Sequence, residues 1–327
     1  MEVMVKVLIS DLLAKEGIDR LKKEDGFRVR EAPGLSQEEL IKIIPEYNAL
    51  IVRSETRVTE EVIRAASRLK VIGRAGTGLD NIDITSATKR GIIVMNTPEG
   101  NTISAAEHTI CMILALSRNI PQAHFSLRSG EWNRKKFMGT EVYGKILGIV
   151  GLGRVGSEVA KRAQGLKMRV VAYDPFISKE RAEQLGVTLI DLEELLPEVD
   201  YLTVHTPLTS QTRNLIGERE IALMKKDARI INCARGGIIQ EDALYRALKE
   251  NRLKGVALDV FEKGKPFDSP LLKLDSVIIT PHLGASTEEA QKRVALDIVL
   301  QVIDALKGGP LRNAVNVLTS SPQVQKT

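Results

Sequence analysis

Residues 146–174 read ILGIVGLGRVGSEVAKRAQGLKMRVVAYD, and this stretch decides the fold. It starts with an apolar run, passes through a glycine-rich turn and an amphipathic segment, and ends with a second apolar run and an acid. The pattern predicts a strand, a tight turn, a helix and a parallel strand, which together bind dinucleotides through their pyrophosphate. A bare G-x-G-x-x-G is weak evidence, but here both strands, the helix and the acid accompany it.

Each glycine of the turn has a separate task. Gly151 allows the tight turn, Gly153 lets the backbone approach a phosphate, and Gly156 lets the helix pack closely on the strand. The helix N-terminus offers free N–H groups to the phosphates. Asp174 closes the second strand, where a carboxylate can accept both ribose hydroxyls and disfavours a 2′-phosphate. We therefore expect NAD rather than NADP as the cofactor.

The size and composition of the chain favour a two-domain globular protein. A chain of 327 residues is too long to pack around one small hydrophobic core. Its content of 43% hydrophobic and 27% charged residues is ordinary for soluble proteins. The net charge of +5 is spread along the chain, which argues against nucleic acid and suits a small anionic substrate. The first residues lack the pattern of a signal peptide, and no apolar run is long enough to span a bilayer. Since two cysteines make no disulfide framework, we expect a cytoplasmic protein with no membrane partner.

Strand and helix patterns alternate on both sides of the glycine turn. Such alternation predicts parallel sheets with helices on both faces, so we expect an α/β fold with two doubly wound parallel-sheet domains. Helices are predicted at 36–44 and 58–66, each after a Ser or Thr cap, and at 101–118, whose dense apolar residues indicate burial. The predicted strands are 6–10, 27–31, 49–54, 70–76, 92–96, 146–150, 169–174, 201–205, 229–234, 255–260 and 277–282.

The end of the chain is expected to return to the first domain. Capping residues at 286–289 predict a last helix of about 20 residues. The substrate-binding domain is then discontinuous and flavodoxin-like, with residues 1–97 and 286–327, and a Rossmann NAD-binding domain of residues 98–285 is inserted in it. We expect the polar tail at 319–327 to be disordered.

Two side chains that follow predicted strands are the best candidates for acid–base chemistry and substrate binding. Hydride removal from a secondary alcohol needs a base for the hydroxyl proton, and the imidazole of His282 titrates in the right range. Arg235 lies between a strand and two glycines, where its guanidinium can hold a carboxylate. We expect His108 to be a satisfied packing residue, His205 to end a strand without an evident partner, and Cys233 to pack near the nicotinamide. No ligand spacing predicts a metal site.

The chain resembles the NAD-dependent D-2-hydroxyacid dehydrogenases. The resemblance covers residues 6–317 and rests on motifs such as VRSET at 52–56, GRAGTGLDNID at 73–83, WNRKKFMGTE at 132–141 and PHLGASTEEAQ at 281–291. Within the family, these motifs are similar to those of the branch that oxidises 3-phosphoglycerate to 3-phosphohydroxypyruvate, the entry to serine synthesis. The resemblance implies that activity, NAD as the cofactor, and a homodimer or higher homo-oligomer.

The resemblance also implies roles for individual residues. The catalytic arginine and histidine of the family fall on Arg235 and His282. Substrate contacts fall on Arg53, Ser54, Ala75 and Gly76, and on Arg134 and Lys135, which reach across a dimer. Cofactor contacts fall on Thr77, Gly151, Gly153, Arg154, Val155, Gly156, Asp174, Thr206, Cys233, Ala234, Arg235, Asp259, His282, Gly284 and Ala285.

One position departs from the family pattern. The family places a glutamate, which pairs with the histidine, 29 residues after the catalytic arginine, and Gly264 stands there. Glu262 lies two residues earlier, and spacing leaves open whether it takes that role. The resemblance therefore implies a weakened or pH-shifted activity that Gly264→Glu would raise. Many members continue into regulatory domains where this sequence ends, so no serine feedback is expected. A hydroxypyruvate or glyoxylate reductase of the same family, and an NAD-sensing corepressor-like binding module, remain the alternatives.

Overall fold

A computed structural model describes residues 4–316, and the predicted tail at 319–327 lies outside them. The described chain divides into two compact units. Unit 1 comprises the residues up to Asn101 and from Thr287, and unit 2 comprises Thr102–Ser286. No helix within residues 4–316 is both long and apolar enough to cross a membrane.

Helices and strands alternate through both units. The elements before Asn101 are β1 (Val5–Ile9), α1 (Lys15–Lys22), β2 (Phe27–Glu31), α2 (Gln37–Ile43), β3 (Ala49–Val52), α3 (Glu60–Ala65), β4 (Val71–Arg74), α4 (Ile84–Lys89) and β5 (Ile93–Asn96). Unit 2 contains α5 (Thr102–Arg118), α6 (Ile120–Arg128), β6 (Ile146–Val150), α7 (Arg154–Gly165), β7 (Arg169–Tyr173), α8 (Lys179–Gln184), β8 (Thr188–Leu189), α9 (Leu192–Leu195), β9 (Tyr201–Val204), α10 (Glu218–Leu223), β10 (Arg229–Asn232), α11 (Glu241–Lys249), β11 (Gly255–Leu258) and β12 (Val277–Ile279). The last helix, α12 (Glu288–Leu306), belongs to unit 1.

The sheet of unit 1 has the strand order β2-β1-β3-β4-β5, and all its strand pairs are parallel. This is the order of flavodoxin-like sheets. Helix α12 packs against the sheet, where Ile298 and Val302 lie closest to Gly73 of β4. Residues after the helix continue the same unit, because the N–H of Val315 donates to the carbonyl of Val94 in β5 at 2.9 Å.

The sheet of unit 2 has the strand order β12-β11-β10-β9-β6-β7-β8, again with parallel pairs throughout. Strand order reverses next to β6, as in Rossmann sheets, and the crevice beyond the carboxyl ends of the strands is where such sheets bind ligands. Every residue of β9, β10 and β11 is buried, as expected for parallel strands covered on both faces. The predicted α/β class with two doubly wound parallel sheets is confirmed.

The helix caps agree with the sequence in part. Ser36 and Glu39 form the predicted capping box of α2, and Thr287 accepts the N–H of Ala290 at the start of α12. At α3, Thr59 occupies the N-cap position as predicted, but its side chain makes no cap hydrogen bond within the described residues. Its hydroxyl instead accepts a hydrogen bond from Gln37.

Candidate active site

The glycine turn after β6 has the geometry that each of its glycines predicts. Gly151 has a φ of +95°, which favours glycine. A Cβ at Gly156 would lie 2.1 Å from the carbonyl oxygen of Gly151, so any larger residue would push the helix away. A Cβ at Gly153 would meet no atom of residues 4–316 within 4 Å, which leaves open space at the start of α7. The turn therefore offers both the room and the helix N-terminus that a pyrophosphate needs.

Asp174 is fixed beside this turn. Its Oδ2 accepts the N–H of Leu152 at 2.8 Å, and its Oδ1 accepts the N–H of Phe176 at 2.9 Å. Each carboxylate oxygen has two lone pairs, so each can still accept a ribose hydroxyl. These contacts orient the carboxylate at the carboxyl end of β7.

Thr206 supplies an independent sign of a ligand at the same sheet edge. Its Oγ1 is buried and has no hydrogen-bond partner among residues 4–316, although buried hydroxyls are normally paired. If Gly151 carried a Cβ, that atom would lie 2.9 Å from the methyl carbon of Thr206, so the side chain of Thr206 borders the glycine turn. Arg154 is exposed and Val155 half-buried in the first turn of α7. The residues at this edge fit a dinucleotide.

The loop after β10 carries Arg235 and is held by Asn232. The amide nitrogen of Asn232 donates to the carbonyl of Arg235 at 2.8 Å, and its Oδ1 accepts the N–H of Ala234 at 3.0 Å. The guanidinium of Arg235 donates to the carbonyl of Ala234 at 2.7 Å. A Cβ at Gly236 would lie 2.1 Å from the carbonyl of Phe261, so the loop passes very close to the next one. Sequence reasoning missed Asn232, although a buried asparagine at a strand end was a usable indication.

Cys233 is a free, half-buried cysteine whose surroundings keep the thiol protonated. Burial, together with the nearby negative charge of Asp259, raises the pKa of its thiol to about 12. Since the thiolate is the nucleophilic form, this environment does not activate the residue.

Asp259, which directly follows β11, holds the turn that carries His282. Its carboxylate is fully buried and accepts the N–H of Leu283 at 2.7 Å, the N–H of Gly284 at 2.8 Å and the hydroxyl of Thr280 at 2.6 Å. Its carbonyl accepts the N–H of His282 at 2.9 Å. Burial by itself raises the pKa of Asp259, but the hydrogen bonds outweigh it and hold the pKa below its ordinary value. Three successive N–H groups thus point to one aspartate, and we call this arrangement the Asp259 clamp.

Two further histidines lie near this sheet edge. The Nε2 of His108, on α5, lies 3.1 Å from the Oγ1 of Thr280 and 3.3 Å from the Oδ1 of Asp259, so His108 is satisfied as expected. His205 has a partner that the sequence did not indicate, because its Nε2 lies 3.0 Å from the Oγ1 of Thr203. Burial lowers the pKa of His205 to about 4, so its ring is neutral at neutral pH.

In unit 1, the loop after β3 carries Arg53 and the exposed Ser54. The buried Asp11 accepts the N–H of Arg53 at 2.5 Å and the N–H of Thr56 at 3.0 Å. The side chain of Asn81 donates to the carbonyl of Arg53 at 2.7 Å. We call this arrangement the Asp11 clamp, and neither of its holding residues, Asp11 and Asn81, was found from the sequence.

The loop after β4 carries Ala75, Gly76 and Thr77. Ala75 is buried, and Gly76 has a φ of +138°. A Cβ at Gly76 would lie 1.6 Å from the Nη1 of Arg74, so a larger residue there would displace that guanidinium. The hydroxyl of Thr77 donates to the Oδ1 of Asn101 at 2.6 Å.

The remaining predicted positions lie on exposed segments. Arg134 and Lys135 are exposed between α6 and β6, and Ala285 is half-buried after the turn of His282. Glu262 pairs with Arg213, whose Nη1 lies 3.4 Å from its Oε1. Gly264 has a φ of +76°, so a glutamate there would adopt a strained left-handed conformation.

Comparison with known proteins identifies unit 2 independently. Residues 110–284 match the family described as D-isomer specific 2-hydroxyacid dehydrogenase, NAD binding domain. A D-3-phosphoglycerate dehydrogenase of Synechocystis is 53% identical over 323 residues, which are 99% of this chain and 58% of that protein. The chain therefore spans less than the full length of this relative.

Solved structures match the whole described fold. A crystal structure of the TT0316 protein from Thermus thermophilus has a TM-score of 0.88 and 34% sequence identity, and the match covers 95% of this chain and all of that one. A D-lactate dehydrogenase from Aquifex aeolicus, complexed with NAD and lactic acid, has a TM-score of 0.83 and 29% identity, and covers 96% of this chain and all of that one.

Proposed function

Because the chain belongs to the D-isomer specific 2-hydroxyacid dehydrogenases, we propose that it oxidises 3-phospho-D-glycerate to 3-phosphohydroxypyruvate with NAD, the first step of serine biosynthesis. The observation that carries the choice of substrate is the 53% identity, over nearly all of this chain, to a protein named D-3-phosphoglycerate dehydrogenase. The buried, unpartnered hydroxyl of Thr206 and the open space at Gly153 support the cofactor.

The cofactor would be held by the glycine turn and the loops that follow the strands of unit 2. Gly153 and the first turn of α7 would bind the pyrophosphate, and Asp174 would accept the ribose hydroxyls. When bound, NAD accepts the hydride that leaves the hydroxyl-bearing carbon of the substrate. Further cofactor contacts would come from Thr206, Cys233, Ala234, Asp259, Gly284 and Ala285, and from Thr77 in unit 1.

The side chains of Arg235 and His282 would divide the remaining chemistry. The imidazole of His282 takes the hydroxyl proton as the alcohol becomes a ketone. The guanidinium of Arg235 binds the carboxylate with two hydrogen bonds and polarises the adjacent oxygen. The loop that Asn232 holds limits the positions that Arg235 can adopt, which favours one substrate orientation.

The substrate's anionic groups would be bound by loops at the carboxyl ends of the unit 1 strands. Arg53 and Ser54 offer a guanidinium and a hydroxyl, and Gly76 offers a backbone N–H group. The N–H of Ala75 already donates to the carbonyl of Val52 at 2.9 Å, so Ala75 would contact the substrate by packing only. The Nε of Arg53 is buried and has no partner among residues 4–316, which supports a ligand at this position.

We also propose that the protein is a cytoplasmic homodimer. Large apolar side chains are exposed on α6 and the segment that follows it, including Phe125 at 72%, Trp132 at 78% and Met138 at 81%. Such a patch is typical of a surface that another protein covers. Arg134 and Lys135 lie in the same segment and would reach the substrate of the other subunit.

The test is a comparison of substrates. NADH formation from 3-phosphoglycerate, glycerate and lactate is measured side by side, with Arg235→Ala as the active-site variant and Arg246→Ala as its matched control. The control removes an exposed arginine that pairs with Glu218. We expect 3-phosphoglycerate to have the highest kcat/KM, Arg235→Ala to lose it, and Arg246→Ala to keep it. A preference for an unphosphorylated acid would overturn the proposal, as would NAD binding without turnover of any of the three.

A further inference from the structure

The contacts of His108 fix which of its nitrogens carries a proton. The hydroxyl of Thr280 has one hydrogen, and it points to the Oδ1 of Asp259 at 2.6 Å. An ionised carboxylate only accepts hydrogen bonds. The Nε2 of His108 lies 3.1 Å from the Oγ1 of Thr280 and 3.3 Å from the Oδ1 of Asp259. Because neither oxygen has a hydrogen left to donate to it, Nε2 carries the hydrogen and points it toward this pair of acceptors. His108 therefore carries a hydrogen on Nε2, and its role toward Asp259 is that of a donor.

Three kinds of group surround the carboxylate of Asp259. Among residues 4–316, its carboxylate accepts two backbone N–H groups and the hydroxyl of Thr280, and the Nε2 of His108 lies 3.3 Å from its Oδ1. A fully buried carboxylate is costly unless it is paired and hydrogen-bonded. Residues 108 and 259 lie on α5 and just after β11, so this contact ties a helix of unit 2 to the Asp259 clamp.

The clamp acts on a residue in an unusual conformation. His282 has a φ of +58°, in the left-handed region that a non-glycine residue seldom adopts. Its N–H donates to the carbonyl of Asp259, and the next two N–H groups donate to the carboxylate. Anything that loosens the carboxylate of Asp259 therefore loosens the backbone that aims the imidazole of His282.

We propose that His108 is a positioning residue for the reaction, which acts through Asp259 to hold His282 in its productive conformation. The inference rests on the proposed function for its consequence in catalysis, but not for its structural part. His108 itself is proposed to contact neither the substrate nor the cofactor. Loss of the Nε2 donor should reduce kcat rather than substrate binding, because a small displacement of a catalytic group lowers the rate of the chemical step.

Three variants test the proposal. His108→Leu removes the donor and keeps an apolar side chain, His108→Gln keeps an N–H donor at similar reach, and Glu107→Gln changes the neighbouring residue, which is exposed and pairs with Arg162. Hydrogen exchange of the amides of residues 282–284 reports the clamp directly and needs no activity. kcat and KM for 3-phosphoglycerate report its effect on the reaction.

We expect His108→Leu to speed exchange at 282–284 and to lower kcat, each about tenfold, with KM changed less than about twofold. His108→Gln should recover most of both, and Glu107→Gln should match the unaltered protein. Unchanged exchange in His108→Leu would overturn the proposal. So would equal losses in the Leu and Gln variants, since that result means a packing role only. If the unaltered protein turns over no 2-hydroxy acid, the proposed function fails, while the exchange experiment still decides on the clamp.

Discussion

The two units hold a loop with the same device and with different partners. In unit 1, Asp11 follows β1 and accepts backbone N–H groups from the loop after β3; in unit 2, Asp259 follows β11 and accepts them from the turn after β12. In both, a buried acid at the end of one strand fixes the loop that follows a neighbouring strand. Parallel sheets bring such ends together at one edge, so a single carboxylate can reach across.

The two clamps differ in the side chains that donate to each carboxylate and in the residue that each clamp holds. The carboxylate of Asp11 also accepts the hydroxyl of Thr56, and its clamp holds Arg53. The carboxylate of Asp259 also contacts the side chains of Thr280 and His108, and its clamp holds a histidine with a left-handed backbone. The clamp that maintains a strained residue thus has a second side-chain donor. We expect the Asp259 clamp to contribute more to both stability and activity.

The largest effect should follow from Asp259→Ala. The substitution leaves two N–H groups, the hydroxyl of Thr280 and the imidazole of His108 without their acceptor, so we expect the free energy of unfolding to fall by about 4 kcal/mol. kcat should fall more than about a hundredfold because His282 loses its support. Urea unfolding and steady-state kinetics measure both, with the exposed Asp275→Ala as control. Near-normal activity in Asp259→Ala would show that the Asp259 clamp does not support catalysis by His282.

Acid should weaken the protein through His205, which lies at the same sheet edge as the Asp259 clamp. Its pKa is about 4 when folded and 6.5 when exposed, so between these values the unfolded chain binds a proton that the folded chain does not. The free energy of unfolding should therefore fall by about 3 kcal/mol from this residue as pH drops through that window, and be unaffected above it. Urea unfolding across the window should show a shallower decline in His205→Gln. Parallel curves for the two proteins would mean that the histidine is protonated in the folded state.

A smaller effect is expected from Asp11→Ala. It removes the acceptor for Arg53 and Thr56, so we expect about 2 kcal/mol of destabilisation. If the loop binds the substrate, KM for 3-phosphoglycerate should rise about tenfold with kcat nearly unchanged. The exposed Asp25→Ala is the control. A loss confined to kcat would assign the loop to chemistry instead of binding.

The smallest effect should follow from Gly264→Ala. Both Gly264 and His282 have left-handed backbones, but only the turn of His282 is held by the Asp259 clamp, so position 264 needs glycine. We expect Gly264→Ala to lower the free energy of unfolding by about 1 kcal/mol. Gly165→Ala, at the last residue of α7 and without a left-handed φ, should be neutral or slightly stabilising. Thermal unfolding measures both variants. An equal loss in both variants would show that the left-handed backbone is not the cause.

Local patterns predicted most of the fold. The glycine turn, the strand cores and the capping box at Ser36 each depend on residues close in sequence, and the structure has all of them. The two-residue strand β8 and the helix α6 were missed. A strand that short has no period to detect, and α6 begins within three residues of the end of α5.

The contacts that organise the site could not be predicted in the same way. Asp11 and Thr56, or His108 and Asp259, are far apart in sequence, and no residue spacing links them. An acid directly after a parallel strand was the available indication, because its side chain must either reach a ligand or hold a neighbouring loop. The family resemblance assigned Asp259 to the cofactor, and the structure adds its role in holding the turn.

The most direct test of the account follows the hydrogen atom that leaves the substrate. 3-Phosphoglycerate deuterated at the hydroxyl-bearing carbon is incubated with the protein and NAD, and the NADH formed is examined by mass spectrometry. The account predicts NADH that carries one deuterium, with turnover abolished in Arg235→Ala. NADH without deuterium, or no NADH from this substrate, would contradict it.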